Sequence, residues 1–298
     1  MKRTIYSIVS VVLLLTAGLA ARAQDQDLLK ELGTDSVRKE YVKNAFKSSR
    51  IVHSHSMEFI GKGVLDVRIL HRFGTINHGF KDLFGLDEAN MRFGFDYGLG
   101  KSLTVGIGRS NVNKELDGFI KYRPVWQSTG PDGFPFSVVL ITGMTLRTQD
   151  FPEPKELYAF KHRLAFFQEV IVGRKFSDGF SMQLNPIFLH RNLVPGAEDD
   201  NNTWALGIGG RIKLTKRTAF VVDYTPILAG RQPGTKDPLA LGFDIETGGH
   251  VFQLHFTNAT GMNERAFLTT TTDDFWKGEI RFGFNLSRVF TIRKKSTK

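Results

Sequence analysis

The sequence predicts an all-β fold, an antiparallel up-and-down transmembrane β-barrel of about twelve strands, preceded by a signal peptide and a short helical or irregular N-terminal segment. Three observations predict it. Phenylalanine (26) and glycine (30) are abundant, proline is only 10 and cysteine is absent, which favours strands joined by tight turns and excludes a disulfide-stapled fold. From Gly63 onward apolar residues recur with period two, the spacing of a strand with one oily and one polar face. Long and short connections also alternate along the chain, as they do where hairpins cross a bilayer.

The first residues, MKRTIYSIVSVVLLLTAGLAARAQ, set Lys2 and Arg3 before an apolar run from Ile5 to Leu15 and the small-x-small Ala21-Arg22-Ala23. This is the pattern of an export signal cut after Ala23. Without Lys2, Arg3 and Arg22 the formal charge falls from +10 to about +7, a balance that suits lipid head groups and anionic solutes in an exported chain better than nucleic acid. Residues 24 to 57 are polar and lysine-rich. Val37, Tyr41 and Ala45 recur at helical spacing behind Asp35-Ser36, so a periplasmic or plug-like segment with some helix is expected there. The barrel is assigned to residues 58 to 292 and a basic tail to 293 to 298.

The strands follow in order. Leu65, Val67 and Ile69 oppose Asp66, Arg68 and Arg72; Met91, Phe93, Phe95 and Tyr97 oppose Arg92 and Asp96, and a tight turn leads to Leu103, Val105 and Ile107. Leu116, Ile120, Tyr122 and Trp126 oppose Asp117, Lys121 and Arg123; Phe136, Val138, Leu140, Met144 and Leu146 oppose Ser137, Thr145 and Arg147. The pair at 160 to 175 and 179 to 191 is noisier, because Phe167 and Ile171 fall on the polar phase and Pro186 interrupts; a bulge at Pro186 would reconcile them. Alternation is clean again through Trp204 to Leu214, Phe220 to Tyr224, Leu239 to Ile245, Phe252 to Phe256 and Trp276 to Leu286.

Period two alone does not say whether the oily face points in or out. The connections do: those at 74 to 87, 148 to 158, 192 to 202, 227 to 238 and 258 to 275 are long and most others are short, with 110 to 114 and 127 to 134 the one pair out of order. A soluble sandwich has no reason to sort loops by end, so the oily face points to lipid and the short turns to the periplasm. Tyr97, Trp126, Trp204, Tyr224 and Trp276 then sit near strand ends as the two aromatic girdles.

Two stretches, HRFGTINHGFKDLFGLDEANMRFGFDYGLGKSLTVGIGRS (71 to 110) and ETGGHVFQLHFTNATGMNERAFL (246 to 268), with SRVFTI at 287 to 292, resemble the bacterial outer-membrane β-barrel family catalogued as domain-of-unknown-function family 5777. The resemblance spans about Phe46 to Ile292. It implies a barrel and an outer-membrane address, and supplies no substrate.

Function is therefore read from the barrel. The inward phase carries Asp66, Arg68, Arg72, Glu88, Arg92, Asp96, Asp117, Lys121, Arg123, Arg147, Arg163, Glu169, Arg211, Lys213, Asp223, Asp244, Glu246, Glu279 and Arg281. Such a lining either coats a water-filled pore of mild anion preference or pairs across a narrow lumen and fills it. The leading expectation is a small pore or transport-related protein. The second is a closed structural or docking barrel whose outer loops or N-terminal segment bind a partner.

An outer-membrane hydrolase ranks third, since no nucleophile, base and orienting group can be assembled. The chain is read as a non-enzyme with no catalytic, cofactor or metal residues assigned. Its expected partners are outer-membrane lipid, lipopolysaccharide and small anionic solutes. His71, His162 and His190 fall near outer strand ends, and one hairpin would bring His162 and His190 together. The preferred reading is histidine tolerated at an interface, for these and for His53 and His55. The acidic GAEDDNN (196 to 202) and TTTTDDF (270 to 275) lack the pattern of a calcium loop and read as solvated outer loops or divalent-ion bridges to lipopolysaccharide. The GIGR and GIGGR repeats lie within strands, so their glycines keep the lumen face small or let the sheet curve.

Overall fold

The computed structural model describes residues 39 to 154 and 158 to 292. The expected signal peptide, the capped helix start at Asp35-Ser36 and the basic tail lie outside those residues.

Twelve antiparallel strands form the wall: β1 (Val64–Thr75), β2 (Ala89–Gly98), β3 (Leu103–Ser110), β4 (Glu115–Val125), β5 (Ser137–Arg147), β6 (Leu164–Lys175), β7 (Phe180–Arg191), β8 (Asn202–Lys213), β9 (Thr218–Tyr224), β10 (Leu239–Thr247), β11 (His250–Thr257) and β12 (Arg281–Thr291). Each pairs with its sequence neighbour, and β12 returns to β1 through Leu286↔Ile69 and Thr291↔Val64. Closure leaves no open sheet edge, which is what allows strands to cross a bilayer. Pro226 interrupts β9, and the chain resumes against β8 at Ile227–Ala229 after a register shift. Among the described residues no helix is long and apolar enough to cross a membrane.

The outer surface is apolar: Phe93, Phe95, Ile107, Ile120, Tyr122, Leu140, Val170, Phe243, Leu254 and Phe256 are all exposed large side chains. A belt of this size around a closed wall fits lipid. Residues 99 to 102, 176 to 179, 214 to 217 and 248 to 249 make short turns at one end, where the N-terminal segment enters. Residues 76 to 88, 148 to 154 with 158 to 163, 192 to 201, 225 to 238 and 258 to 280 belong to longer connections at the other.

Two strand details differ from the sequence reading. There is no bulge at Pro186: the register runs unshifted from Ala165↔Arg191 to Lys175↔Ser181 on one side and through Leu206↔Pro186 on the other. Pro186 is exposed on the outward face. Phe167 and Ile171 fall on the polar phase because they do point inward, at 1% and 0% exposure. Trp276 is not on the last strand, which begins at Arg281; it lies 84% exposed on a one-turn 3₁₀ element, Phe275–Lys277, capped by the Asp274 side chain and ended by Gly278 at φ +77.

Candidate functional site

The lumen is filled from both ends. From the short-turn end, Glu40–Tyr41 first pairs with Ser128–Thr129 of the β4–β5 connection. The chain then enters the barrel, where Ala45, Phe46, Ile51, Val52, His53, Ser54, His55, Ser56 and Met57 are all buried. It is not helical here. Residues 49 to 56 make a tight hairpin, closed by the Ile51 N–H to Ser54 carbonyl bond (2.9 Å), the Ser56 N–H to Ser49 carbonyl bond (3.0 Å) and an Arg50↔His55 bridge. Serine serves this segment, the Ser56 hydroxyl donating to the Ser48 carbonyl and the Ser48 hydroxyl accepting the Arg50 N–H, because its polar backbone must be satisfied without a neighbouring strand.

The wall satisfies it. Asp223 accepts from the backbone N–H groups of Val52, His53 and Ser54 (3.1, 2.8 and 2.9 Å) and from the Ser54 hydroxyl (2.8 Å). Lys121 donates to the carbonyls of Ser49, Ser56 and Glu58 (3.3, 2.7 and 2.7 Å), Arg123 to that of Met57 and Arg211 to that of Ala45. Arg68 donates to the Ser48 and Ser49 hydroxyls, and Asn285 and Gln253 reach the carbonyls of Val52 and Ile51. Gln183 and Asn185 donate to the His55 carbonyl. Glycine makes the room: a Cβ on Gly209 would fall 2.0 Å from Ile51 Cδ1, and one on Gly173 would fall 2.3 Å from Met57 Sδ.

From the long-loop end, residues 258 to 272 fold inward around a short helix, Glu264–Thr269, whose Ala266, Phe267 and Leu268 are buried. Asn263 caps it by accepting the Ala266 N–H (2.9 Å) and donates to Glu115 of the wall, which also pairs with Arg265. Hairpin and helix meet at mid-lumen. Arg50 pairs with Glu264 (2.9 Å, both under 3% exposed), the His53 ring lies 5.7 Å from that of Phe267, and His53 Nε2 contacts the Thr257 hydroxyl at 2.9 Å. Burial, then the Arg72 and Arg50 guanidinium groups, hold the His53 imidazole well below its usual pKa. Burial and the Arg50, Lys121, Arg92 and Arg68 charges do the same to His55.

Asp66, Arg68, Arg72, Arg92, Asp96, Asp117, Lys121, Arg123, Glu169, Arg211, Asp223 and Asp244 are buried inside the wall. Several are spent on one another, such as the two-point Arg92–Asp117 pair (2.9 and 2.5 Å) that lies across Gly108. Glu246 pairs with Lys47 at the short-turn mouth, Arg147 is half-buried near the other, and Arg281 pairs with Asp273 of a long loop. Glu88, Glu279 and Lys213 are not lumen residues. Glu88 is exposed before β2 begins, Glu279 accepts the Asp274 N–H within its loop, and Lys213 is exposed at the last position of β8. Arg163 belongs to a one-turn element before β6 and donates to the Arg147 and Gln149 carbonyls.

Of the aromatic residues, Trp204 is 54% exposed, and Tyr97 and Tyr224 are half-buried. Trp126 packs under the Arg123 guanidinium (3.9 Å) and donates to Ser102. His162 and His190 are not brought together: His190 pairs across to Phe166 and bonds Asn202 (2.7 Å), while His162 bonds the Ala159 N–H. His71 stacks on Phe284 (5.0 Å). His53 and His55 are not interfacial; both are 1% exposed inside the lumen. Asp273 and Asp274 face Arg281 and Lys236, and Asp199 accepts the Gly196 N–H.

Sequence reasoning missed Arg50, Gln253, Asn263 and Glu264, and missed that part of the lumen is apolar. The out-of-phase Phe167 and Ile171 were the signal for the second. One set of side chains, His55, Glu169 and Glu264, places three potential metal ligands within 4.8 Å of one another.

A closed twelve-stranded wall, oily outside and filled inside by its own N-terminal hairpin and one inward loop, defines a plugged membrane β-barrel. The family model described as a membrane-bound beta barrel domain, domain-of-unknown-function family 5777, matches residues 46–290, and the chain belongs to that family. No curated protein matches it. Among solved structures the NanC porin is 9% identical, with 76% of this chain and 98% of that one covered at a TM-score of 0.48. An outer-membrane channel of Pseudomonas putida F1 is 12% identical, with 78% and 97% covered at 0.46. The translocator domain of the autotransporter NalP of Neisseria meningitidis is 11% identical, with 78% and 89% covered at 0.37. At these TM-scores none bears on what this chain carries or binds.

Proposed function

We propose that the protein is a transport-related barrel of the outer membrane that rests closed and conducts only when the N-terminal hairpin leaves the lumen. The observation that carries this reading is how the hairpin is held. The wall cations Arg68, Lys121, Arg123 and Arg211 are spent on its hydroxyls and carbonyls, bonds that water can replace at a net cost of about 1.5 to 3 kcal/mol each. The segment is continuous with the chain on the short-turn side, so a pull from that side would withdraw it.

Withdrawal of the segment frees those four cations and, of the wall carboxylates that touch it, Asp223, Asp96 and Glu246. A conducting form would therefore keep a mild anion preference. The long-loop mouth suits the same solutes. It holds a cavity of about 460 Å³ whose lining includes Arg147, Arg191 and Arg265 against one carboxylate, Asp199.

The test is planar-bilayer conductance of the whole refolded chain beside its Asp223→Ala variant, with unequal salt across the membrane. The whole chain is expected to be silent and the variant to show steps with a reversal potential of anion sign. Silence from both, with the barrels folded by heat-modifiable migration, would favour the second reading, a permanently closed structural or docking barrel. The specific support for that second reading is the apolar contact between the hairpin and the β5–β8 wall, which water does not replace.

A further inference from the structure

We propose that His55, Glu169 and Glu264 form a binding site for one first-row divalent transition-metal ion of the zinc class, joining hairpin, wall and inward loop at a single point. The three residues come from the three parts that fill the lumen: His55 from the hairpin, Glu169 from β6 and Glu264 from the inward helix. One ligand atom from each lies within 4.8 Å of the others, and all three side chains are buried. His55 Nε2 and Glu264 Oε1 are 3.4 Å apart. Two ligands held by one tetrahedral ion at about 2.1 Å stand about 3.4 Å from each other, so this pair already has the spacing that an ion requires, and a turn of the Glu169 carboxylate completes the set.

Two atoms of this cluster, His55 Nε2 and Glu169 Oε2, are buried without a hydrogen bond. Buried polar atoms in native proteins are nearly always satisfied, so an unpartnered set on converging side chains calls for an occupant. Glu169 accepts only from Asn185 (2.6 Å) and makes no ion pair among the described residues, whereas Glu264 is shared with Arg50. The nearby Lys121 amine is committed to three hairpin carbonyls.

The ring is also held for the purpose, by its edge-on contact with Phe119 (4.5 Å) and by the Gln183 and Asn185 bonds to the His55 carbonyl. One imidazole with two carboxylates selects zinc, iron, cobalt or manganese; calcium and magnesium prefer oxygen alone. The inference stands whether or not the barrel conducts.

Because the site is enclosed, the ion must be supplied while the full chain refolds, with Zn²⁺ or Co²⁺ as the probe and a chelator wash afterwards. Mass-spectrometric metal analysis is expected to find one ion per barrel, and Co²⁺ to give the visible absorption of a low-coordinate site. His55→Ala and Glu169→Gln should each lower retention roughly tenfold or more, while His190→Ala keeps it. If His55→Ala fails to form a heat-modifiable barrel, the near-isosteric Glu169→Gln decides. Retention of Zn²⁺ and Co²⁺ by the parent chain no higher than by Glu169→Gln would overturn the proposal and assign the space to water and a shared proton.

Discussion

The two sides of the lumen hold the same hairpin by different physics. On β5 to β8 the inward face carries an apolar patch, with Val139, Ile141, Phe167, Ile171, Ile187, Leu189 and Ala205 at 3% exposure or less, beside Gln183, Asn185 and Arg211, which bond the plug backbone. Across from it, β10 to β12 and β1 to β4 present Asp244, Gln253, Asn285, Arg68, Arg92, Asp96 and Lys121. The apolar side contributes attraction without direction, about 1.5 to 3 kcal/mol for each side chain it buries. The polar side contributes bonds from charged groups, and because those bonds have geometry it sets where the hairpin sits. The difference teaches that in this barrel residence and register of the plug are separate properties, written on separate walls.

That division can be broken experimentally, and because native cysteine is absent a Ser54→Cys thiol is the single maleimide target and is met only when the hairpin leaves; each variant is compared with Ser54→Cys alone, which has already given up the Ser54 hydroxyl bond to Asp223. Ile51→Asp should have the largest effect. It sets a carboxylate where Ile51 lies 1% exposed above Gly209, at a cost of about 4 kcal/mol, and labelling should become fast. Slow labelling would mean that apolar contact is not what keeps the hairpin in place.

Asp223→Ala comes next. It strips the acceptor from three backbone N–H groups and one hydroxyl, worth about 3 kcal/mol. The expected signature is a shifted hairpin as well as a looser one, read as altered distances from a spin label at position 54 to a second label on β9. Loosening with no shift would remove the distinction between the two walls.

Acid should act on the polar side in the same direction but less strongly. The pKa values of His53 and His55 in the folded chain lie below the free value, so the neutral forms belong to the seated hairpin and the released form binds more protons. Stability is therefore complete above about pH 6.5 and falls as pH drops below it, by up to about 1.4 kcal/mol per histidine per unit. Labelling should accelerate between pH 7.5 and 5.5, and His53→Gln with His55→Gln should flatten that rise; an unchanged slope would assign the titration to other groups. Ile187→Val, removing one methylene group from the apolar wall, should be the mildest, near 1 kcal/mol, with labelling a few times faster and the spin-label distances unchanged.

Much of the barrel was readable beforehand because each strand states its own orientation. Residues such as Phe93, Phe95 and Tyr97 against Arg92 and Asp96 alternate whatever lies across the sheet, and the loop lengths say which face is oily to lipid. The resemblance carried by 71 to 110 and 246 to 268 pointed to the same membrane-bound family. The plug was legible only as a polar segment of different composition. Of its helical spacing, Val37 lies outside the described residues, and within them Tyr41 pairs with Ser128 and Ala45 meets Glu58 in a non-helical run. Trp276 was assigned to a strand that begins five residues later, since an aromatic at a loop end carries the same period-two signal as one on the wall. Glu88 and Glu279 failed for a similar reason: phase extrapolated past a strand end has no physical carrier.

By itself, then, the sequence determined the secondary structure of the wall, its oily outer face and its address in a membrane, because alternation is a local property enforced by backbone geometry and by the requirement that no backbone group face lipid unpaired. Only the tertiary structure decided what fills the lumen. Asp223 receives its partners from 169 to 171 residues away, and Arg50 meets Glu264 across 214. Contacts at such separations leave no period in the chain; they exist only once closure of β12 on β1 has made an inside for them to share.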